Sequence, residues 1–212
     1  MILAKLYAAY IRVFRKWRFA HFINRCANLQ KPSFRYVDGS WLHRAVTADQ
    51  LRIEQFLKTC ILQHKSILHV GIGNSSFAKQ VCSETILIDG ITIVDEEEHF
   101  ANSLNITNYF AFNINKYSKE LLGLSNTYDI IIDNNLTSYA CCKFHFTEML
   151  INYLQLLKPN GFIVTDKVGL MHYTNGFGMV FTELKDLEHQ LQVHVQKVNE
   201  YTYLILKSPH IL

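Results

Sequence analysis

The sequence predicts an α/β protein in which a mostly parallel sheet is covered by helices on both faces. Two observations carry this. From Ser66 onward, short apolar runs rich in β-branched residues alternate with helical patterns, as parallel strands buried on both sides require. The first of these runs, Ile67 to Val70, passes through Gly71-Ile72-Gly73-Asn74 into a helical stretch beginning near Phe77. A strand, a glycine turn and a helix in that order open a Rossmann-like three-layer sandwich.

Taken in order, the elements begin with an amphipathic helix. Leu3, Leu6, Tyr10, Val13, Phe14, Trp17 and Ala20 share one side of a helical wheel, and Lys5, Arg12, Arg15 and Lys16 fall largely opposite. Pro32 and the pair Asp38-Gly39 interrupt it with a loop that carries Phe34, Tyr36, Trp41 and His43. Thr47-Ala48-Asp49-Gln50 has the form of a capping box, so a second helix is expected from there to about Leu62. The candidate strands are Ile67 to Val70, Ile91 to Val94, Tyr109 to Phe112, Tyr128 to Ile132 and Phe162 to Thr165. Helices are expected over Phe77 to Cys82, Glu96 to Leu104 and Lys143 to Leu157. Val193 to Val198 and Tyr201 to Leu206, joined by Asn199-Glu200, read as an antiparallel hairpin. The division is therefore residues 1–46, a basic helix with its connecting loop, and 47–212, the α/β domain, with its core over 66–207.

Composition narrows the class. An apolar share of 49% with three prolines and nine glycines excludes a disordered or collagen-like chain. Five cysteines without a C-x-x-C pair argue against a zinc ribbon or a disulfide framework and fit a reducing cytoplasm, and no metal is expected. Charge is uneven: from Met1 to Val37 there are eight basic residues and no acid, leaving 13 basic against 18 acidic residues in the remainder. No uninterrupted apolar run reaches the roughly 18 residues of a membrane span, because Arg12, Arg15, Lys16 and Arg18 cut the segment.

The chemistry is concentrated at strand ends. Main-chain amides around Gly71 and Gly73 can approach a polar ligand closely. About two dozen residues further on, Ile91 to Val94 runs into Asp95, a carboxylate suited to a ribose diol; Asp89 lies nearer the commonest spacing but precedes Gly90 and reads as a turn residue. Tyr109 to Phe112 runs into Asn113 and Ile114, where an amide can meet a purine edge or make a simple turn. Tyr128 to Ile132 is followed by Asp133-Asn134-Asn135, and a later helix closes on Leu156-Leu157-Lys158-Pro159-Asn160-Gly161. A dinucleotide fingerprint is weaker, since Ser76 stands at its third glycine, and no G-K-[ST] completes a phosphate loop.

In this order the glycine turn, the acid after the second strand, the Asp-bearing fourth strand and the Leu-Leu-Lys-Pro-Asn-Gly segment resemble the class I S-adenosylmethionine-dependent methyltransferases, from about Ser66 to Lys207. The resemblance implies a seven-stranded sheet with an antiparallel last strand and S-adenosyl-L-methionine as cofactor. It places His69, Gly71, Gly73 and Asn74 near the methionine end, Asp95 at the ribose, Asn113 and Ile114 at the adenine, and Asp133 and Asn134 at the cleft floor. Two positions depart from the family: His69 stands where an acid is usual and Ser75 where a third glycine is common.

Methyl transfer from a sulfonium needs mainly proximity and alignment, with a base only for protonated acceptors. His172, Asp133 and His145 are the candidates for that base, with Tyr139, Asp166 and Tyr173 also near strand ends. The expected acceptor is a small molecule or lipid-like compound; a non-catalytic, partner-binding member of the same fold is the alternative. The basic helix over residues 1–25 either packs on the domain or a second subunit, as in a homodimer, or attaches reversibly to an anionic membrane. Nucleic acid is not an expected partner, because the basic stripe is confined to one helix.

Overall fold

The computed structural model describes residues 39–125, 127–140, 142–171 and 178–207. The basic helix over residues 1–25, and with it His172 and Tyr173, lies outside the described residues. Seven strands form one sheet: β1 (Ser66–Val70), β2 (Leu87–Thr92), β3 (Tyr109–Asn113), β4 (Tyr128–Ile132), β5 (Leu157–Asp166), β6 (Val193–Lys197) and β7 (Thr202–Lys207), in the order β3-β2-β1-β4-β5-β7-β6. β1 to β5 pair in parallel, and β7 runs antiparallel to both of its neighbours. The order reverses between β1 and β4, and a crevice opens at that switch point beyond the carboxyl ends of the strands.

Period-two alternation divides the strand side chains between two cores. Leu68, Val70, Ile91, Ile131 and Ile163 face helix α4 (Lys143–Leu156), whose Phe146, Met149, Leu150 and Tyr153 recur at helical spacing on one stripe. Ile67, Ile88, Ile130, Ile132 and Val164 face the other way, against α1 (Ala48–Leu57), α2 (Ser76–Val81) and α3 (Asp95–Ser103). Each fully buried aliphatic or aromatic side chain here contributes about 1.5–3 kcal/mol. Three short helices, α5 (Lys167–Leu170), α6 (Phe181–Lys185) and α7 (Glu188–Leu191), join β5 to the terminal hairpin.

Three expectations are corrected. β2 starts at Leu87 rather than Ile91, so Asp89 and Gly90 are strand residues and not a turn. Asp89 is buried and accepts a 2.6 Å hydrogen bond from the Tyr128 hydroxyl, while the bare Gly90 makes room for Ile72 and Tyr109, since a Cβ there would lie 2.6 Å from Ile72 Cγ2. α1 ends at Leu57 rather than near Leu62. Its last buried residue is Leu57, after which the amides of Thr59 and Cys60 fold back on the carbonyls of Phe56 and Leu57 and tighten the chain into a turn. Thr47 is the N-cap by position, but it makes no side-chain cap and Gln50 reaches Glu54 and Ser76 instead.

The Lys158-Pro159-Asn160-Gly161 segment is a bulge at the start of β5. Tyr128 pairs with Leu157 and Ile130 with Phe162, so four residues on β5 stand opposite Asp129 alone. Asp129 accepts from Lys158, from Lys65 and from both the amide and hydroxyl of Ser66. Burial pushes its carboxyl upward, but these donors outweigh it and hold the pKa at about 2.

Candidate functional site

A cavity of about 470 Å³ occupies the crevice. Its floor comes from the ends of β1 and β2 and the residues after β1, β2, β3 and β4, and its outer wall from Trp41, the segment leading into α1 and Val168 of α5.

The glycine turn leaves the main chain open to it. Gly71 has φ +75°, its amide donates to the Ile91 carbonyl at 2.8 Å, and a Cβ there would meet nothing within 4 Å. Gly73 has φ +48° and lies under Trp41, 3.7 Å from where its Cβ would stand. Asn74 lines the cavity with its side chain already engaged, donating to the Arg44 carbonyl and accepting from the Ser76 amide. Ser75 takes up the left-handed conformation at φ +59° that glycine would favour, and its buried hydroxyl bonds the Tyr109 hydroxyl at 2.9 Å. That bond anchors the third position of the turn without a glycine.

His69 is off the cavity wall. It is buried at the end of β1, edge-on to Phe77, and its Nδ1 has no hydrogen-bond partner. Burial drops its pKa to about 4, so the ring is neutral near pH 7.

Of the acids that follow β2, Glu97 lines the cavity and Asp95 does not. Asp95 is exposed at the first position of α3 and bonded by the Asn113 side-chain amide, and neither of the two lines the cavity. Glu97 is 3% exposed, reaches the wall and accepts a 2.6 Å hydrogen bond from the Thr92 hydroxyl at the end of β2. The sequence signal lay in helical spacing: Glu97 and Ala101 are the buried pair of α3, four residues apart. Ile114 lines the cavity.

Sequence reasoning also missed Lys116. It follows β3, is 7% exposed, and its Nζ donates to Asp133 Oδ2 at 2.8 Å, to the carbonyls of Asn135 and Leu136, and to the Ser138 hydroxyl. Tyr153 from α4 donates to the same Asp133 oxygen at 2.9 Å. Burial lowers the Lys116 pKa against the raising effect of Asp133, and burial beside that carboxylate lifts the Tyr153 phenol. Asp133 therefore lines the cavity as half of a buried ion pair that fixes the loop after β4. No local pattern marks Lys116, which meets Asp133 only through the fold.

Asn134 closes the floor, donating to Asp49 Oδ2 of α1 at 2.6 Å. Tyr139 and Val168 flank it, Tyr139 at φ +61°. Arg44 stacks on Trp41 at the outer edge, 4.4 Å from the ring centroid. His145 is buried in α4 with Nδ1 3.3 Å from Cys142 Sγ and does not line the cavity. Asp166 is also off the cavity, capping α5 through the Val168 amide and holding Arg52 in a two-pronged ion pair at 2.8 and 2.9 Å. Among the described residues no group of three His, Cys, Asp or Glu side chains could hold a metal ion.

No family model matches the chain, and no curated protein matches it in sequence. Solved structures do match. The N-methyltransferase NodS from Bradyrhizobium japonicum WM9 in complex with S-adenosyl-L-homocysteine has a TM-score of 0.58 at 12% identity, over 91% of this chain and 98% of that one. Magnesium protoporphyrin IX methyltransferase (ChlM) from Synechocystis PCC 6803, with bound S-adenosylmethionine, has a TM-score of 0.54 at 11% identity, over 83% and 100%. An O-methyltransferase family protein from Burkholderia thailandensis has a TM-score of 0.60 at 11% identity, over 94% and 70%. With the strand order, the antiparallel β7 and the crevice at the switch point, these likenesses show that the chain has the Rossmann-like fold of the class I S-adenosylmethionine-dependent methyltransferases.

Proposed function

We propose that the cavity binds S-adenosyl-L-methionine and that the protein transfers its methyl group to a small-molecule acceptor. The observation that carries this is the open main chain at Gly71 facing a cavity that holds the buried carboxylate of Glu97. Glu97, oriented by Thr92, is the acid placed to accept from a ribose diol. Ile93, Val94 and Ile114 offer apolar surface to a purine, and Gly71 and Gly73 let the methionine portion lie against the backbone. When bound, such a cofactor supplies an electrophilic methyl carbon on a sulfonium, whose carbon–sulfur electron pair returns to sulfur on transfer.

The chain's own residues then hold and align the two reactants. The buried Lys116–Asp133 pair keeps the 133–138 loop in one arrangement, so the acceptor wall is fixed before a ligand arrives. With Asp133 engaged in this way, its role is to position the loop. Trp41, Tyr139 and Val168 screen the crevice from water.

A thermal-shift titration with S-adenosylmethionine and S-adenosylhomocysteine tests the reading. Ligand that binds only the folded state raises Tm in proportion to RT ln(1 + [L]/Kd). A concentration-dependent rise with both compounds supports it, and a flat response with both favours the non-catalytic alternative. We further propose that the basic segment over residues 1–25, with six cations and no acid, makes peripheral contact with an anionic membrane that presents a lipid-like acceptor. Co-sedimentation with phosphatidylserine vesicles should pellet the full chain and spare a chain starting at Pro32; equal pelleting removes the assignment.

A further inference from the structure

Where α1 meets the end of β4, the cavity wall presents side-chain oxygens from Asp49 and Asn134. Its interior ammonium, Lys116, is saturated by four acceptors of the protein itself. Arg52, close to Asp49 on α1, has committed its guanidinium to Asp166. Arg44 stacks on Trp41 at the outer edge. What faces the space between α1 and β4 is the Asp49–Asn134 pair. Asn134 spends one of its two amide N–H groups on Asp49 Oδ2, which leaves Asp49 Oδ1, near the Arg52 charge, and Asn134 Oδ1 as acceptors with no hydrogen-bond donor among the described residues. Both residues line the cavity beside the apolar Val46 and Val168 and the ring of Tyr139.

A carboxylate oxygen and an amide oxygen side by side fit a ligand that donates hydrogen bonds and carries positive charge. They repel a carboxylate or phosphate, and a neutral hydroxyl supplies only one donor for two acceptors. Aromatic surface nearby adds to the attraction for a cation. Resting on the cofactor reading above, the geometry points to an amine as the acceptor class: its nitrogen lies between Asp49 and Asn134, and its apolar body lies against Tyr139 and Val168. An ammonium must give up one proton before its lone pair can accept a methyl group, and Asp49 is the carboxylate that faces it, able to take that proton and release it to solvent.

The test uses the full chain and two steps of calorimetry. S-adenosylhomocysteine is titrated first, and the loaded protein then receives phenethylamine, 2-phenylethanol or 3-phenylpropanoate as probes. The amine should bind at least about tenfold more tightly than the alcohol or the acid. Asp49→Asn should bring amine and alcohol within about twofold while leaving S-adenosylhomocysteine affinity within about threefold, and Asp49→Glu should keep the preference for the amine. Failure of S-adenosylhomocysteine to bind overturns the cofactor reading itself. If it binds and the amine shows no preference, or if Asp49→Asn weakens S-adenosylhomocysteine about tenfold, the amine assignment alone is overturned.

Discussion

Lys116 is the residue whose environment most constrains the site. Its ammonium neutralises Asp133, 2% exposed, and ties together three further acceptors of the loop after β4. Removing one partner of a buried pair leaves an uncompensated charge, so Lys116→Met should cost about 3–5 kcal/mol, whereas the double change Lys116→Met with Asp133→Leu should recover much of it. Urea denaturation of both variants checks this; equal losses would contradict it. Asp129 makes the complementary pH prediction. Its folded pKa of about 2 lies below the unfolded carboxylate value of about 4, so its contribution is complete above pH 4 and disappears as pH falls toward 2. Asp129→Asn should therefore flatten the acid limb of the stability profile, while an unchanged limb would show that Lys65, Lys158 and Ser66 do not act through it. Single residues were also where sequence reading reached least. Asp95 has the sequence position of a ribose acid, yet α3 starts at Asp95 itself and turns Glu97 toward the cavity. Helical phase decided between three consecutive glutamates and an aspartate, and phase depends on where the helix begins.

Among the elements, α5 controls the acceptor wall through backbone proximity. Gly169 lies so close to the loop after β4 that a Cβ would stand 1.6 Å from the Asn134 carbonyl oxygen, and Thr137 donates from that loop to the carbonyls of Gly169 and Leu170. Gly169→Ala cannot be accommodated without parting the two, and should lower Tm by several degrees, at about 4 °C or less per kcal/mol for a domain of this size. Gly123→Ala, where a Cβ meets nothing within 4 Å, serves as the control and should leave Tm nearly unchanged. Element types were legible because periodicity is a local property. The 3.6-residue stripe of α4 and the β-branched runs of β1 and β4 declare themselves within a dozen residues. The start of β2 was not, because Asp89-Gly90 has turn chemistry in sequence and is strand through its pairing with β1 and β3, with Tyr128 supplying a donor to the buried Asp89. The bulge in β5 was visible as a turn, whereas its role in gathering donors on Asp129 needed the pairing register.

On the scale of the whole molecule, the strand order β3-β2-β1-β4-β5-β7-β6 brings the ends of β1, β2 and β4 to one crevice and α1 across its mouth. Strand–helix alternation and the terminal hairpin were readable in the chain, whereas seven strands with an antiparallel last one were what the family resemblance implied. The polar constellation was legible in neither: Asp49 and Asn134 are 85 residues apart in sequence and Lys116 and Asp133 are 17 apart, so only the fold makes them neighbours. The chain up to Val37 carries eight basic residues and no acid against 13 basic and 18 acidic residues in the remainder, which gives the full chain two electrostatically unlike parts. The most direct test of the account is isothermal titration of S-adenosylhomocysteine into the wild-type chain and Glu97→Gln. The account predicts one site per chain, weakened about tenfold or more by the substitution, as loss of a charged acceptor at a buried diol would produce. Binding equally tight in both proteins, or none in the wild type, would contradict it.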